Sequence, residues 1–265
     1  MIRQSVPAVV FFDLDGTLLN EQNQVPDSAV AAIRQLRHKG HLAFLNTGRS
    51  LAGVHASIRA IEFDGIVAAC GTSIEYHGQL LQNQTIASCT VAKLLTLLAE
   101  SRIDAIFEGP EHVYFGNLDP DNAMQRYIQV FQGFPGVIQL WNESPVSANK
   151  MCFILRPESR IQPLLEYLQQ GFMVINHHPD PLYEVLQKGY SKATGIQFLL
   201  DHLKLTREQT FAFGDSLNDI EMLNFAGTGI AMGGSRSRVL LASDHVTRSA
   251  AEDGIATALQ HFGLI

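Results

Sequence analysis

A chain of 265 residues exceeds the usual single-domain size of roughly 100–200 residues, so one large or two moderate domains are expected, each with a sizeable core. The apolar fraction of 46% beside 17% charged residues excludes a disordered or fibrous chain. A formal net charge of -7, with no run of lysine and arginine, excludes a surface built to neutralise nucleic-acid phosphates or anionic lipid, so the expected partner is small.

The segment MIRQSVPAVVFFDLDG carries one arginine and an apolar run too short for a signal peptide or a membrane span, which predicts a cytoplasmic protein. Within it AVVFF (8–12) is continuously apolar, as a strand buried on both faces of a parallel sheet must be. Val30, Ile33, Leu36 and Arg37 fall at helical spacing over 27–39, with Asp27 as expected N-cap and Gly40 as stop. LAFLN (42–46) reads as a second buried strand, so strand, helix and strand form a right-handed βαβ unit.

Between about 83 and 184 the texture changes. Prolines recur at 110, 120, 135, 145, 157, 163, 179 and 181, and the strand-like runs DAIFEG, HVYFGN and MCFILRP are short. Helices are predicted over 90–100, 121–132 and 159–169, which suggests an inserted α+β domain: an antiparallel sheet with helices on one face. The alternating grammar then returns with a helix over 193–203, the strand TFAFG (210–214), a helix over 217–225, the strand TGIAM (228–232), a helix over 235–242 and a short strand HVT (245–247). The fold class is therefore α/β, a doubly wound, mostly parallel, Rossmann-like core over 1–82 and 185–265, with an inserted α+β domain over 83–184. Cys70, Cys89 and Cys152 are odd in number and lack zinc-site or disulfide-framework spacing, which fits a reducing compartment.

Three predicted strands end in polar clusters: DLDGT after 8–12, NTGR after 42–46 and GDSLND after 210–214. Ligands of open parallel sheets bind beyond the carboxyl ends of the strands, so the clusters are expected to converge on one edge. Asp13 and Asp15 are two residues apart, and both face the site if the backbone stays extended. With Asp215 they form a carboxylate nest in which unit charges about 4 Å apart repel by ~4 kcal/mol at an effective dielectric near 20. Such a nest calls for a cation, and hard oxygen ligands without histidine or thiolate favour magnesium. Magnesium would screen an approaching phosphate dianion, letting Asp13 attack phosphorus to form an acyl phosphate. Asp15 would serve as acid to the leaving alkoxide and then as base to water, a role that needs a raised pKa. Thr47 and the Gly48 amide are suitable donors to the phosphoryl oxygens, and Lys192 supplies positive charge.

DLDGT, NTGR, SKATG and GDSLND, in this order, resemble the four motifs of the haloacid dehalogenase-like hydrolase superfamily. The insertion between the second and third motifs, and the stretch from EVLQKGYSK through FAFGDSLNDIEMLNFAGTGIAMG to EDGIATAL, look like its Cof-type sugar phosphatase branch with a large cap domain. The resemblance implies a magnesium-dependent phosphatase acting on a small phosphorylated metabolite such as a sugar phosphate. It implies Asp13 as nucleophile and metal ligand, Asp15 as acid/base with its carbonyl on the metal, and Asp215 as a further metal ligand. Thr47 and Asn218 would touch the phosphoryl group, Lys192 would pair with it, and Asp219 would support the metal indirectly. Gly16 and Gly214 would be tight turn positions. The chain departs from the family in having Cys70, Gly71 and Thr72 for Asn-Gly-Ala, and Gly233, Gly234 and Ser235 for Gly-Asn-Ala, departures that leave the four central motifs untouched. SKATG also replaces the commoner lysine-glycine pair after Ser191.

A cap that closes over a phosphoenzyme shelters it from water, so its residues are expected to choose the substrate; candidates are Glu108, His112, Tyr114, His177, His178 and Glu184. Adjacent His177 and His178 before PDP invite a metal reading, but neighbours on a strand point to opposite faces. A phosphomutase of the same fold and a non-catalytic phosphometabolite-binding protein are the alternative functions, and a monomer or small homo-oligomer is expected.

Overall fold

The computed structural model describes residues 7–178 and 181–265, so part of the PDP segment lies outside the described residues. The chain forms two compact units. One takes the chain up to Gly48, Ala56–Leu81 and Tyr190–Ile265; the other takes Arg49–His55 and Gln82–Gly189. Elements run in the order β1 (Val9–Phe12), α1 (Asp27–His38), β2 (Leu42–Asn46), α2 (Ala56–Arg59), β3 (Gly65–Ala68), β4 (Ser73–Tyr76) and β5 (Gln79–Asn83). The second unit follows with α3 (Ser88–Ser101), β6 (Asp104–Glu108), β7 (Val113–Phe115), α4 (Gln125–Gln132), β8 (Ile138–Leu140), β9 (Lys150–Ile154), α5 (Gln162–Leu168), β10 (Phe172–Asn176) and β11 (Leu182–Gln187). The chain then returns through α6 (Lys192–Leu203), β12 (Thr210–Gly214), α7 (Ile220–Phe225), β13 (Thr228–Ala231), α8 (Ser237–Leu240), β14 (His245–Val246) and α9 (Gly254–His261).

The first unit's sheet has the order β14-β13-β12-β1-β2-β3-β4-β5. Pairing is parallel from β14 to β3 and turns antiparallel between β3 and β4. All four residues of β1 are buried, which explains its uninterrupted apolar run. Val9 and Phe11 face a cluster with Ile196 and Leu199 of α6 and Met222 and Leu223 of α7. Phe12 stacks on Phe213, ring centroids 5.1 Å apart, and Phe11 stacks on Phe44 at 5.3 Å. Because β12, β1 and β2 are adjacent and parallel, the three polar clusters that follow them emerge at one edge of the sheet.

Local boundaries differ where the chain tightens. Asp27 is the first helical residue of α1, and Pro26, with its preset φ of -58°, holds the N-cap position. The stretch 217–225 is a 3-10 turn over Leu217–Asp219 leading into α7, because Ser216 and Asp219 close a capping box there. The helix expected over 235–242 contracts to α8, with Gly234 at φ +89° just before it.

The second unit's sheet has the order β10-β11-β9-β6-β7-β8, antiparallel except for the parallel pair β7 and β8. Its helices do not share one face. Ala105, Phe107, Met151 and Phe153 pack with Leu94, Leu97 and Leu98 of α3 and Leu164 and Leu168 of α5. The alternate residues Ile106, Phe115 and Cys152 pack with Ile128 and Phe131 of α4 on the other side. The helix expected from 121 starts at Gln125, since residues 119–124 form turns in which Asn122 Oδ1 accepts from Met124 N at 2.8 Å. This unit reaches Gly189 because β11 pairs with both β9 and β10, and it gains Arg49–His55, where Ala52 N donates to Gly109 O at 3.3 Å.

Candidate active site

Asp13 lies one residue past β1, held by its amide to Phe213 O at 3.0 Å, and is 4% exposed. Lys192, the first residue of α6, is 1% exposed and brings its ammonium to Asp13 Oδ1 and, at 2.6 Å, to Asp219 Oδ1. The helix starts there because Ser191 and Thr194 form a capping box, Thr194 N donating to Ser191 Oγ at 3.3 Å. Asp219 is wholly buried, and its Oδ2 accepts from Asp215 N at 3.0 Å, Ser216 N at 2.9 Å and Ser216 Oγ at 3.0 Å. Both its oxygens are thus committed, one to the lysine and one to the loop that carries Asp215.

Among the described residues, Asp13, Asp215 and Asp219 form a cluster whose ligand oxygens lie within 4.8 Å of one another. Burial and the charge of Asp219 push Asp13 well above the usual carboxylate range, against the pull of Lys192. The same two causes raise Asp215 to about 6, opposed by the hydroxyl of Thr17, which donates to its Oδ1 at 2.9 Å. Burial would lower Lys192, but Asp13 and Asp219 outweigh it, so the ammonium stays charged. The three candidate ligands are all carboxylate oxygens, the set that suits a hard divalent cation. Gly16, at φ +83°, permits the approach of Asp215: a Cβ there would collide with its Oδ2.

Not every predicted residue joins the cluster. The backbone leaves the extended conformation after Asp13, turning at Leu14 and bridging Asp15 to Leu19, so Asp15 stands exposed while its charge still acts on Asp13. Thr47 is buried at the end of β2, its amide on Val67 O at 2.8 Å, with Gly48 half-buried beside it. Asn218 Oδ1 lies 2.6 Å from Ser216 Oγ and shares that hydroxyl's one proton with Asp219 Oδ2. The Cys70 turn does touch a central motif: Cys70, at φ 52°, donates its amide to Thr47 O at 3.1 Å. Thr17 and Ser216 were not singled out by sequence reasoning, although each lies inside a motif; what hid them is that their partners depend on the adjacency of β1 and β12 or on the closing of the 3-10 turn.

The family profile of haloacid dehalogenase-like hydrolases matches residues 10–259. The chain is a haloacid dehalogenase-like hydrolase. The hydrolase is 26% identical to the 5-amino-6-(5-phospho-D-ribitylamino)uracil phosphatase YitU of Bacillus subtilis, over 98% of both chains. A crystal structure from Geobacillus kaustophilus superposes with a TM-score of 0.86 at 29% identity, covering 98% of the hydrolase and 100% of that chain. The subclass IIB sugar phosphatase BT4131 superposes with a TM-score of 0.77 at 26% identity, covering 97% and 100%. Family and relatives bear out the expected Cof-type resemblance and place the hydrolase among phosphoric monoester hydrolases. Among the described residues no helix is long and apolar enough to cross a membrane.

In the hydrolase's second unit, Glu108, His177 and Glu184 of the expected substrate-choosing residues come together around Lys150, which sequence reasoning did not select. Lys150 Nζ pairs with Glu184 and lies 3.6 Å from Glu108 Oε1, while His177 Nε2 is 3.0 Å from Glu184 Oε2. Burial would raise the Glu184 carboxyl, but Lys150 and the His177 hydrogen bond outweigh it and hold it at about 2. His178 is exposed and His112 packs edge-on against Tyr114, ring centroids 6.1 Å apart, so neither histidine joins this group.

Proposed function

We propose that this hydrolase is a magnesium-dependent phosphatase of small phosphomonoesters, sugar phosphates among them, working through a phosphoaspartyl intermediate on Asp13. The observation that carries the reading is the buried pairing of Asp13 with Lys192 in the three-carboxylate cluster. A carboxylate serving only structure gains nothing from neighbours that drive its pKa upward; a nucleophile set among acids fits a site completed by a cation and a phosphate.

Asp13 and Asp215 would hold the ion with the Asp15 carbonyl, and Asp219 would steady the Asp215 loop and Lys192. Magnesium, when bound, supplies the positive charge that lets ionised carboxylates and a phosphate dianion share the site. Asp13 attacks phosphorus and the P–O bond to the leaving group breaks. Asp15, exposed beside it, delivers the proton to the leaving alkoxide and later removes one from the water that releases phosphate. Lys192 donates two of its three ammonium protons to Asp13 and Asp219, which leaves the third to meet a phosphoryl oxygen. Thr47, Gly48 and Asn218 complete the oxyanion contacts.

A hydrolysis screen over sugar phosphates, nucleotides and pyridoxal phosphate, with magnesium or with chelator, tests the reading. Phosphate release from several phosphomonoesters that vanishes with chelator and in Asp13→Asn is expected. Undiminished turnover in Asp13→Asn refutes the nucleophile, and return of the phosphoryl group to a second hydroxyl of a retained intermediate would make the enzyme a mutase.

A further inference from the structure

Lys192 must point its ammonium between two aspartates, and the direction it takes depends on where the first turn of α6 is anchored. That turn sits directly on the β3–β4 connection. A Cβ on Gly71 would collide with Ser191 O, and one on Gly195 would collide with Val67 Cγ1, so the main chain of Gly71 packs on that of the helix start and Gly195 leaves room for the Val67 side chain of β3. This explains why Ala193 is accepted where a glycine is commoner: the close approach falls on Gly195.

Asn46 is the last residue of β2 and fully buried. It shares a face of the strand with Phe44, whose ring belongs to the apolar cluster formed with Ile196, Leu199 and Met222. An amide is out of place there. Its Nδ2 donates to the main-chain carbonyl of Lys192 at 3.1 Å and lies 3.5 Å from Met222 Sδ. The carbonyl settles which end of the amide faces the helix, because only the NH2 group can donate to it. Its Oδ1 is buried with no hydrogen-bond partner among the described residues. An orphaned carbonyl in an apolar cluster is a desolvation cost with no return, and an apolar side chain of the same shape would remove it.

We propose that Asn46 is a positioning residue for Lys192: it ties the helix residue that carries the ammonium to the end of the strand that Thr47 follows, and so sets the distance between cation and nucleophile. The proposal rests on the phosphatase reading and gives a role to the first residue of NTGR, to which the resemblance gives none. The side chain touches neither substrate nor metal; it acts through the Lys192 backbone.

The test is Asn46→Leu, nearly isosteric and without the orphaned acceptor, assayed beside the wild type for melting temperature, kcat and KM on the best phosphomonoester of the screen. Melting at or above the wild-type temperature, with kcat down about tenfold and KM within about twofold, is expected, since the anchor serves turnover and not folding. Asn46→Ser, whose hydroxyl is too short to reach the carbonyl, is expected to show the same fall in kcat, and it decides the matter should the leucine variant not fold. Wild-type kcat in either folded variant, or a loss of kcat matched by a lowered melting temperature in Asn46→Leu, overturns the proposal. A wild type inactive on every phosphomonoester would instead remove the phosphatase reading, so the two failures are told apart.

Discussion

Stripping divalent cations from the protein should make the first unit lose stability as pH rises, and the size of the loss follows from the carboxylate cluster. Oxygens of Asp13, Asp215 and Asp219 lie within 4.8 Å of one another. Two ionised groups at such a separation repel by about 3–4 kcal/mol at an effective dielectric near 20. Burial and Asp219 raise Asp215 from 3.8 to about 6. A carboxyl whose folded pKa lies above its unfolded value contributes stability that is complete below the unfolded pKa and is lost as pH rises through the folded one. For Asp215 the window therefore runs from about pH 4 to just above pH 6, and two pKa units correspond to about 3 kcal/mol. At roughly 2–4 °C per kcal/mol for a chain of this size, the melting temperature should fall by roughly 6–12 °C across that window. Thermal melts followed by circular dichroism from pH 4 to 8, in chelator and in magnesium, measure it. Trp141, the single tryptophan, reports on the second unit by fluorescence and separates its transition from that of the first. The chelator series should slope downward and the magnesium series should not; Asp215→Asn should remove the Asp215 part of the slope in chelator. Parallel slopes in chelator and magnesium would refute the electrostatic reasoning.

Gly16→Ala forces a Cβ into Asp215 Oδ2 at a positive φ, a strain of about 1–3 kcal/mol, and should weaken magnesium binding at least about fivefold in a calorimetric titration. Asp219→Asn leaves Lys192 paired with Asp13 and removes the charge that raises Asp13 and Asp215, so both carboxyls should titrate lower than in the wild type when followed by NMR in chelator. In the second unit the sign is reversed: Glu184 is held at about 2 from a usual 4.5, so its contribution of about 3 kcal/mol is present above pH 4.5 and lost as pH falls through 2. Acid titration followed by Trp141 fluorescence should show that loss in the wild type, and Glu184→Gln should start destabilised and lack the Glu184 part of the slope.

Residues close together in the chain made much of this protein legible. The apolar runs of β1, β2 and β12 match buried central strands because a strand covered on both faces is mostly apolar, with polar residues only where they find a partner. The acids after β1 and β12 were readable as one site because parallel neighbours end at a common edge. Weaker signals came from elements whose polarity is set by distant partners. Lys150 reads as an ordinary strand lysine until β11 brings Glu184 beside it and β6 brings Glu108. The placement of α4 opposite α3 and α5 was hidden too, since β6 and β9 are apolar on both faces and periodicity alone does not say which helix covers which.

By itself, then, the sequence determined the class of the fold, the family and the kinds of chemical group available, because those depend on local pattern and on residue type. Tertiary structure alone decided that Asp15 stands outside the carboxylate cluster while Asp219 is drawn in, that Thr17 and Ser216 hold the acids in place, and that an asparagine in the core reaches the backbone of Lys192. The physical reason is that hydrogen-bond partners and pKa values are properties of surroundings. Those surroundings are assembled from strands and helices that meet only when the sheet closes around β1.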